Sequence, residues 1–456
     1  MTVTADTDLA FAGPGALAAY VRDGQVHPRE IVELYLRRIE ELDPRLNAFR
    51  VVRAEQALAE AEQVDRSGPL AGVPIGVKDD LAVAGEVTSR GTRSFNPPAP
   101  ADAEAVGRLR AAGAIPLGIT NVPELMIFPW TATAANGVTR NPWDPARTPG
   151  GSSGGSASAV AAGMVAAATG SDGGGSIRIP AACCGLVGMK PSRGRVPSDG
   201  GGDWLGLAVY GGLARTVADS ALMLDVMQGA TDGGFREAVT REPGRLRIAV
   251  SRKIPPGVLG RVSADQRRAW EETGKLLTTL GHEVTTRDPA YGLAQVEFLQ
   301  TWLRGIYEES LTVPDRSVFE RSTRQMAAGG RYFVPPARRR AVLAARAKTT
   351  ARITALWDEF DVLMTPGLAK TAIAAEGAYG RSALAAIDMG GRFTPFTPIF
   401  NVTGQPAVSL PAGTGSDGLP LSVQLVGRPG DEATLYSLAA QVEAAAPWAG
   451  RRPPIS

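Results

Sequence analysis

The sequence predicts an α/β fold. Three observations carry that expectation. Short apolar runs opened by Gly or Pro alternate with amphipathic stretches at helical spacing. Residues 246–286 read as strand, helix and strand, a βαβ pattern. The chain has 456 residues, 44% hydrophobic and 21% charged, ordinary for a soluble protein whose core needs no disulfide staples. Length alone allows two or three domains or one large α/β unit.

The elements follow in order. Residues 15–66 read as helical. Pro28 sits in a first turn, and Ile31, Leu34, Tyr35, Ile39 and Leu42 repeat at helical spacing until Asp43-Pro44 breaks the pattern. An Ala- and Glu-rich helix is expected over 51–64. Residues 72–77 form a strand, with Lys78 at its carboxyl end, where α/β sheets place ligands. A helix over 102–113 and a strand over 114–120 lead to the loop that holds Asn121 and Met126. The Pro- and Asn-rich run 136–149 is an ordered coil. Residues 153–163 make a tightly packed helix of small residues, 164–169 a strand, and 170–175 a turn. Ser176 opens the next helical segment, and a Gly-rich loop from 199 leads to a helix near Thr216. Residues 290–355 are mostly helical, with a solvated Arg face at 338–340. Strands over 360–365 and 420–426 flank mixed strand and loop at 394–412, and 432–445 is a closing helix.

Composition excludes several functions. A net charge of +2, with no basic stripe interleaved with aromatics, argues against nucleic acid and anionic membranes. No run of 18 apolar residues reads as a membrane span. The first residues lack the basic and apolar regions of a secretory signal. The two cysteines, Cys183 and Cys184, are sequence neighbours. The expectation is a reduced, cytoplasmic protein. The two histidines, His27 and His282, sit at a helix start and in a turn, so neither suits a Ser-His-Asp triad or a zinc site. No glycine-rich run ends in the Gly-Lys-Ser or Gly-Lys-Thr of a phosphate loop. Of 48 basic residues only six are lysines. Lysine, unlike arginine, can lose its proton when buried and act as a base.

What remains is a serine nucleophile with a lysine base. Two Gly-Ser clusters flank the small-residue helix, one at Ser152 and Ser153, the other at Ser176. About ten helical residues cover roughly 15 Å. About five strand residues return roughly 17 Å. The 24-residue spacing therefore permits Ser152 and Ser176 to meet. Gly173, Gly174 and Gly175 allow successive amides before Ser176 to point at one spot, as an oxyanion hole requires. A plain glycine turn capped by Ser176 fits equally well. Taken alone, Lys78 reads most simply as a surface lysine paired with Asp79 or Asp80.

The motifs GGSSGGS, SDGGGSIRIPA, CGLVGMKPSRGRV and GVPIGVKDDLAVAG resemble those of the amidase signature family. TNVPELM, TRNPWD, DWLGLAVYGGLARTVAD and FNVTGQPAVSLP resemble further family segments, all in the family's order. The resemblance covers roughly residues 25–235 and 355–450, with its core at 65–235 and 355–450, and is weak over 236–355. It implies one domain over 1–456, with a mixed, twisted sheet covered by helices on both faces.

It also implies a Ser–cis-Ser–Lys triad. Ser176 matches the nucleophile, Ser152 the bridging serine after a cis peptide bond, and Lys78 the base. Ser153, Asp172 and Arg178 match supporting positions, and Met126 matches a position that lines the substrate site. Gly173 departs from the family, which usually carries a side chain there, and implies a looser oxyanion turn. The implied activity is hydrolysis of a carboxylic amide through an acyl-enzyme. No metal or cofactor is required. The implied partner is a small-molecule amide, with no nucleic acid or membrane, and the chain is a monomer or homodimer. An acyl transferase, a tRNA-dependent amidotransferase subunit and a non-catalytic binding scaffold are the competing readings. The pocket is expected from the loop after Asn121, residues 199–212 and the 290–355 segment. Phe128, Trp130, Trp204 and Tyr210 point to apolar or aromatic acyl groups, and core packing accounts for them equally.

Overall fold

The computed structural model describes residues 6–94, 96–198, 203–230 and 234–456. Its strands in chain order are β1 (Phe49–Val52), β2 (Pro74–Lys78), β3 (Ile115–Thr120), β4 (Ala132–Thr133), β5 (Gly137–Val138), β6 (Ala167–Asp172) and β7 (Val187–Lys190). They continue as β8 (Val209–Ala214), β9 (Arg247–Val250), β10 (Glu283–Thr286), β11 (Val362–Pro366), β12 (Ala407–Thr414) and β13 (Pro420–Val426). Eleven of these form one sheet in the order β1-β3-β2-β6-β8-β7-β12-β13-β11-β9-β10, and β4 and β5 pair separately. The sheet is mixed. Strand β2 runs parallel to β3 and β6, and β9 parallel to β10 and β11. The central pairs β6–β8, β8–β7 and β7–β12 are antiparallel. Helices flank this sheet, as expected of the fold class.

Strands β2 and β6 are buried at every position. Central strands covered on both faces read as apolar or small runs, and these two do until the charged residue that ends each, Lys78 and Asp172. The helix Gly154–Ala161 packs against them and is likewise buried throughout. Its small side chains let it sit close to the sheet. A second apolar cluster lies apart from the sheet core and joins Ile127, Phe128, Trp130, Trp204, Phe298 and Ile306. It packs the weakly matched helical segment onto the loops at one end of the sheet.

Several elements differ from expectation. The first long helix runs Pro28–Leu46, straight through Pro44, and ends at Asn47 with φ 51°. Proline there removes one backbone donor near the helix end, and the Asp43 carboxylate accepts from the Ala48 amide at 2.6 Å. Strand β6 starts three residues later than predicted, at Ala167, and includes Gly170, Ser171 and Asp172. The turn is therefore confined to the glycines that follow. The next helix begins at Arg178, two residues after Ser176. Strands β1 and β8 were not anticipated. His27 caps its helix in a capping box with Glu30. His282 accepts from the Leu246 amide and bonds Gln441, a structural role as read from its turn position. In the Arg run, Arg338 and Arg340 are exposed, and Arg339 pairs with Glu308 at 3.2 Å.

Candidate active site

Lys78 ends β2 and is fully buried, not a surface lysine. Its amide donates to Thr169 Oγ1 at 2.9 Å, which ties it to the neighbouring β6. Its Nζ donates to Ser152 Oγ at 2.9 Å and to Ser171 Oγ at 2.6 Å. Ser171 in turn donates to Asp80 Oδ2, which lies 3.3 Å from Lys78 Nζ. Of the two aspartates proposed as partners, Asp80 takes the lysine. Asp79 turns to Arg50 at 3.0 Å and to the Ser89 amide. Burial pushes the Lys78 ammonium below its ordinary pKa, and the Asp80 carboxylate pulls in the opposite direction.

Ser152 follows Gly151 across a cis peptide bond. A Cβ at Gly151 would lie 2.5 Å from the Phe128 carbonyl oxygen and 2.7 Å from the Trp130 amide, so only glycine fits. Ser153 precedes the helix Gly154–Ala161, and its amide donates to the Ser176 carbonyl at 3.3 Å. Its hydroxyl reaches the Ser171 carbonyl at 3.5 Å. The two Gly-Ser clusters therefore meet, as the spacing allowed. Ser152 and Ser176 line one cavity, and among the described residues the Ser176 hydroxyl makes no hydrogen bond.

The turn before Ser176 is organised by Asp172. Its Oδ1 accepts from the Gly175 amide at 2.7 Å, and its Oδ2 from the Ile177 amide at 3.2 Å. The buried Arg178 guanidinium grips both carboxylate oxygens, at 2.8 and 3.0 Å. It also donates to the Thr397 carbonyl at 2.8 Å, Gln424 Oε1 at 2.6 Å and Asn401 Oδ1 at 2.7 Å. Burial opposes the Asp172 charge. The Arg178 guanidinium, Lys190 and the Asn401 amide outweigh it and hold the carboxyl well below the usual range. One of the glycine amides expected at the oxyanion hole is already engaged in the structure. The Gly175 amide is engaged by Asp172, which leaves those of Gly173, Gly174 and Ser176 without an acceptor among the described residues. Thr397 Oγ1 donates to the Gly174 carbonyl at 2.7 Å and ties the turn to the residues after helix Ala383–Phe393.

The cavity encloses about 1130 Å³, including its open mouth. Met126 lines it from a short turn in which Leu125 and Met126 both have positive φ, 49° and 58°. Phe128, Trp204 and Tyr210 form part of the wall. Trp130 does not line it. It is buried behind Phe128, stacked at 5.1 Å. The helix Ala294–Ser310 of the weakly matched segment adds Phe298 and Trp302, as expected. The expected contribution of residues 199–202 lies outside the described residues. The helix Ala383–Phe393 adds Ile387, which the sequence did not single out. Ser171, Thr397, Asn401 and Gln424 were also missed, and Asp80 was named only as a partner of a surface lysine. Asn401 and Gln424 lie inside recognisable segments, but their contacts cross more than 220 positions of sequence.

Comparison with known proteins matches the chain as a whole to a family. The family model described as Amidase covers residues 30–436. The chain is 48% identical to the putative amidase AmiB2 of Mycobacterium tuberculosis, over 99% of both chains. It is 33% identical to the 6-aminohexanoate-cyclic-dimer hydrolase of a Pseudomonas species, over 96% of each. A solved structure of 6-aminohexanoate cyclic dimer hydrolase complexed with substrate superposes with a TM-score of 0.88 at 31% identity, covering 98% of this chain and 99% of that one.

Proposed function

The chain belongs to the amidase signature family and hydrolyses amide bonds, and from that premise we propose that Lys78, Ser152 and Ser176 act as base, bridging hydroxyl and nucleophile. The observation that carries the proposal is the 2.9 Å bond from the fully buried Lys78 Nζ to Ser152 Oγ, beside the cavity that Ser176 lines.

Neutral Lys78 takes the proton of Ser152, and Ser152 takes that of Ser176. Serine needs such an adjacent base to attack. Ser176 Oγ adds to the carbonyl carbon, and the developing oxyanion is met by the amides of Gly173, Gly174 and Ser176. Collapse breaks the C–N bond. The proton held on Lys78 returns through Ser152 to the departing nitrogen, and the acyl group stays on Ser176. Water then enters where the amine left. It gives a proton to the same relay and attacks the ester, releasing the carboxylate and restoring the Ser176 hydroxyl. Ser153 and the Asp172–Arg178 pair position the two serine segments, and Met126 shapes the wall. The substrate is a small amide with an apolar or aromatic acyl group, which suits Phe128, Trp204, Phe298 and Trp302.

A fluorophosphonate probe tests this. Mass spectrometry should place the adduct on Ser176, and Ser176→Ala should lose both labelling and turnover of aryl amides. Labelling elsewhere, or full activity in that variant, overturns the assignment.

A further inference from the structure

One end of the cavity carries charge that the relay leaves unbalanced. Asp80, Arg90 and Glu309 line that end, and Lys78 lies against it. The Asp80 side chain is 7% exposed. Its Oδ2 takes the Ser171 hydroxyl and faces Lys78, whereas its Oδ1 is buried with no hydrogen-bond partner. Glu309 pairs with Arg90 at 3.0 Å. On the reading above, Lys78 is neutral when it acts as base. Two carboxylates then face one guanidinium, and an unpaired buried charge is costly.

We propose that this end is a subsite for an ammonium group carried on the leaving-amine side of the substrate, with Asp80 Oδ1 as its acceptor and Glu309 beside it. The inference rests on the assigned roles of Lys78 and Ser152. Ser152 returns the proton to the departing nitrogen, so that nitrogen faces Ser152. Ser152 and Asp80 both contact Lys78, so a group just beyond the nitrogen comes within reach of Asp80. The aromatic wall is left for the acyl group. A bound cation here also favours the neutral form of Lys78, which is the form that must accept the Ser152 proton. The preferred substrates are then apolar or aromatic acyl amides of diamines or of other amino-bearing amines.

Binding tests this separately from turnover. Calorimetry at about pH 8 would titrate the Ser176→Ala protein with N-aminoethylbenzamide and with its neutral counterpart N-propylbenzamide. The ammonium ligand should bind at least about tenfold more tightly. The preference should fall to near parity in Ser176→Ala/Asp80→Asn and drop several-fold in Ser176→Ala/Glu309→Gln. Each ratio is internal to one protein, so partial misfolding cancels. Equal affinities in Ser176→Ala, no binding of either ligand, or a preference untouched by both carboxylate changes overturns the subsite. Failure of the hydrolase reading shows elsewhere, as wild-type protein that turns over no amide.

Discussion

Asp80 lies 3.3 Å from the Nζ of Lys78, close enough to favour the protonated amine. Burial lowers the lysine pKa, and this carboxylate raises it. On the proposed relay, that balance sets the pH at which Lys78 becomes available as a base. Below the folded pKa, Lys78 is an ammonium and cannot accept from Ser152, so kcat/KM should fall on the acid side. Asp80→Asn removes the influence that favours the ammonium. The acid limb of kcat/KM should therefore move to lower pH in that variant. A limb that stays put or moves upward would show that another group titrates there.

The Asp172–Arg178 pair is buried on both sides, with side chains 0% and 1% exposed. Removing one partner leaves an uncompensated charge in the interior. Arg178→Met should cost about 3–5 kcal/mol in denaturant unfolding. It should also lower kcat, because Asp172 anchors the Gly175 amide and so shapes the turn before Ser176. Unchanged stability would contradict the role given to the pair.

The three glycines of the turn are not equivalent. Gly175 has φ 129°, and a Cβ there would lie 2.3 Å from Thr397 Oγ1. A Cβ at Gly173 meets nothing within 4 Å, and its φ lies outside the left-handed region. Gly173→Ala should therefore raise stability by about 0.4–1 kcal/mol through the unfolded chain. Gly175→Ala should lower the melting temperature and abolish turnover. Thermal melts of the two variants make the comparison directly.

Glu124 begins the turn that carries Met126, is 2% exposed, and accepts from the Glu320 amide at 2.9 Å. Burial pushes its carboxyl pKa up to about 7. A raised acid pKa means that the folded state holds the proton longer than the unfolded chain. Stability should therefore fall as pH rises from the ordinary carboxyl range to about 7, by up to about 3 kcal/mol, and then level off. Glu124→Gln should remove that slope and be the more stable protein at pH 8, as read by denaturant melts across pH.

Much of the fold was legible because it is written in local periodicity. The closing helix Glu432–Ala445 and the βαβ unit of β9, Ala264–Thr279 and β10 lie where their spacing puts them. The misses have physical causes. Strand β6 ends in Gly-Ser-Asp, a poor strand sequence by propensity, and is held extended by β8 across five paired positions. Strand β8 itself contains Gly211, where a Cβ would lie 2.6 Å from the Met189 carbonyl. Its glycines mark close approach of two backbones, which in sequence reads as a loop.

The site divides in the same way. The sequence by itself determined the residue types the proposed relay needs: a rare lysine at a strand end, two serines with glycine beside them, and a spacing that lets the serines meet. Only the tertiary structure decided that Asp80 and not Asp79 faces the lysine, that Ser171 stands between them, and that Asp172 claims one amide of the turn. Those relationships depend on β2 lying beside β6, a parallel pairing across more than 90 positions. Local sequence sets where a backbone bends and which side chains it offers. Which charges share a buried space, and so which proton is easily moved, is set by strands that meet only when the sheet is complete.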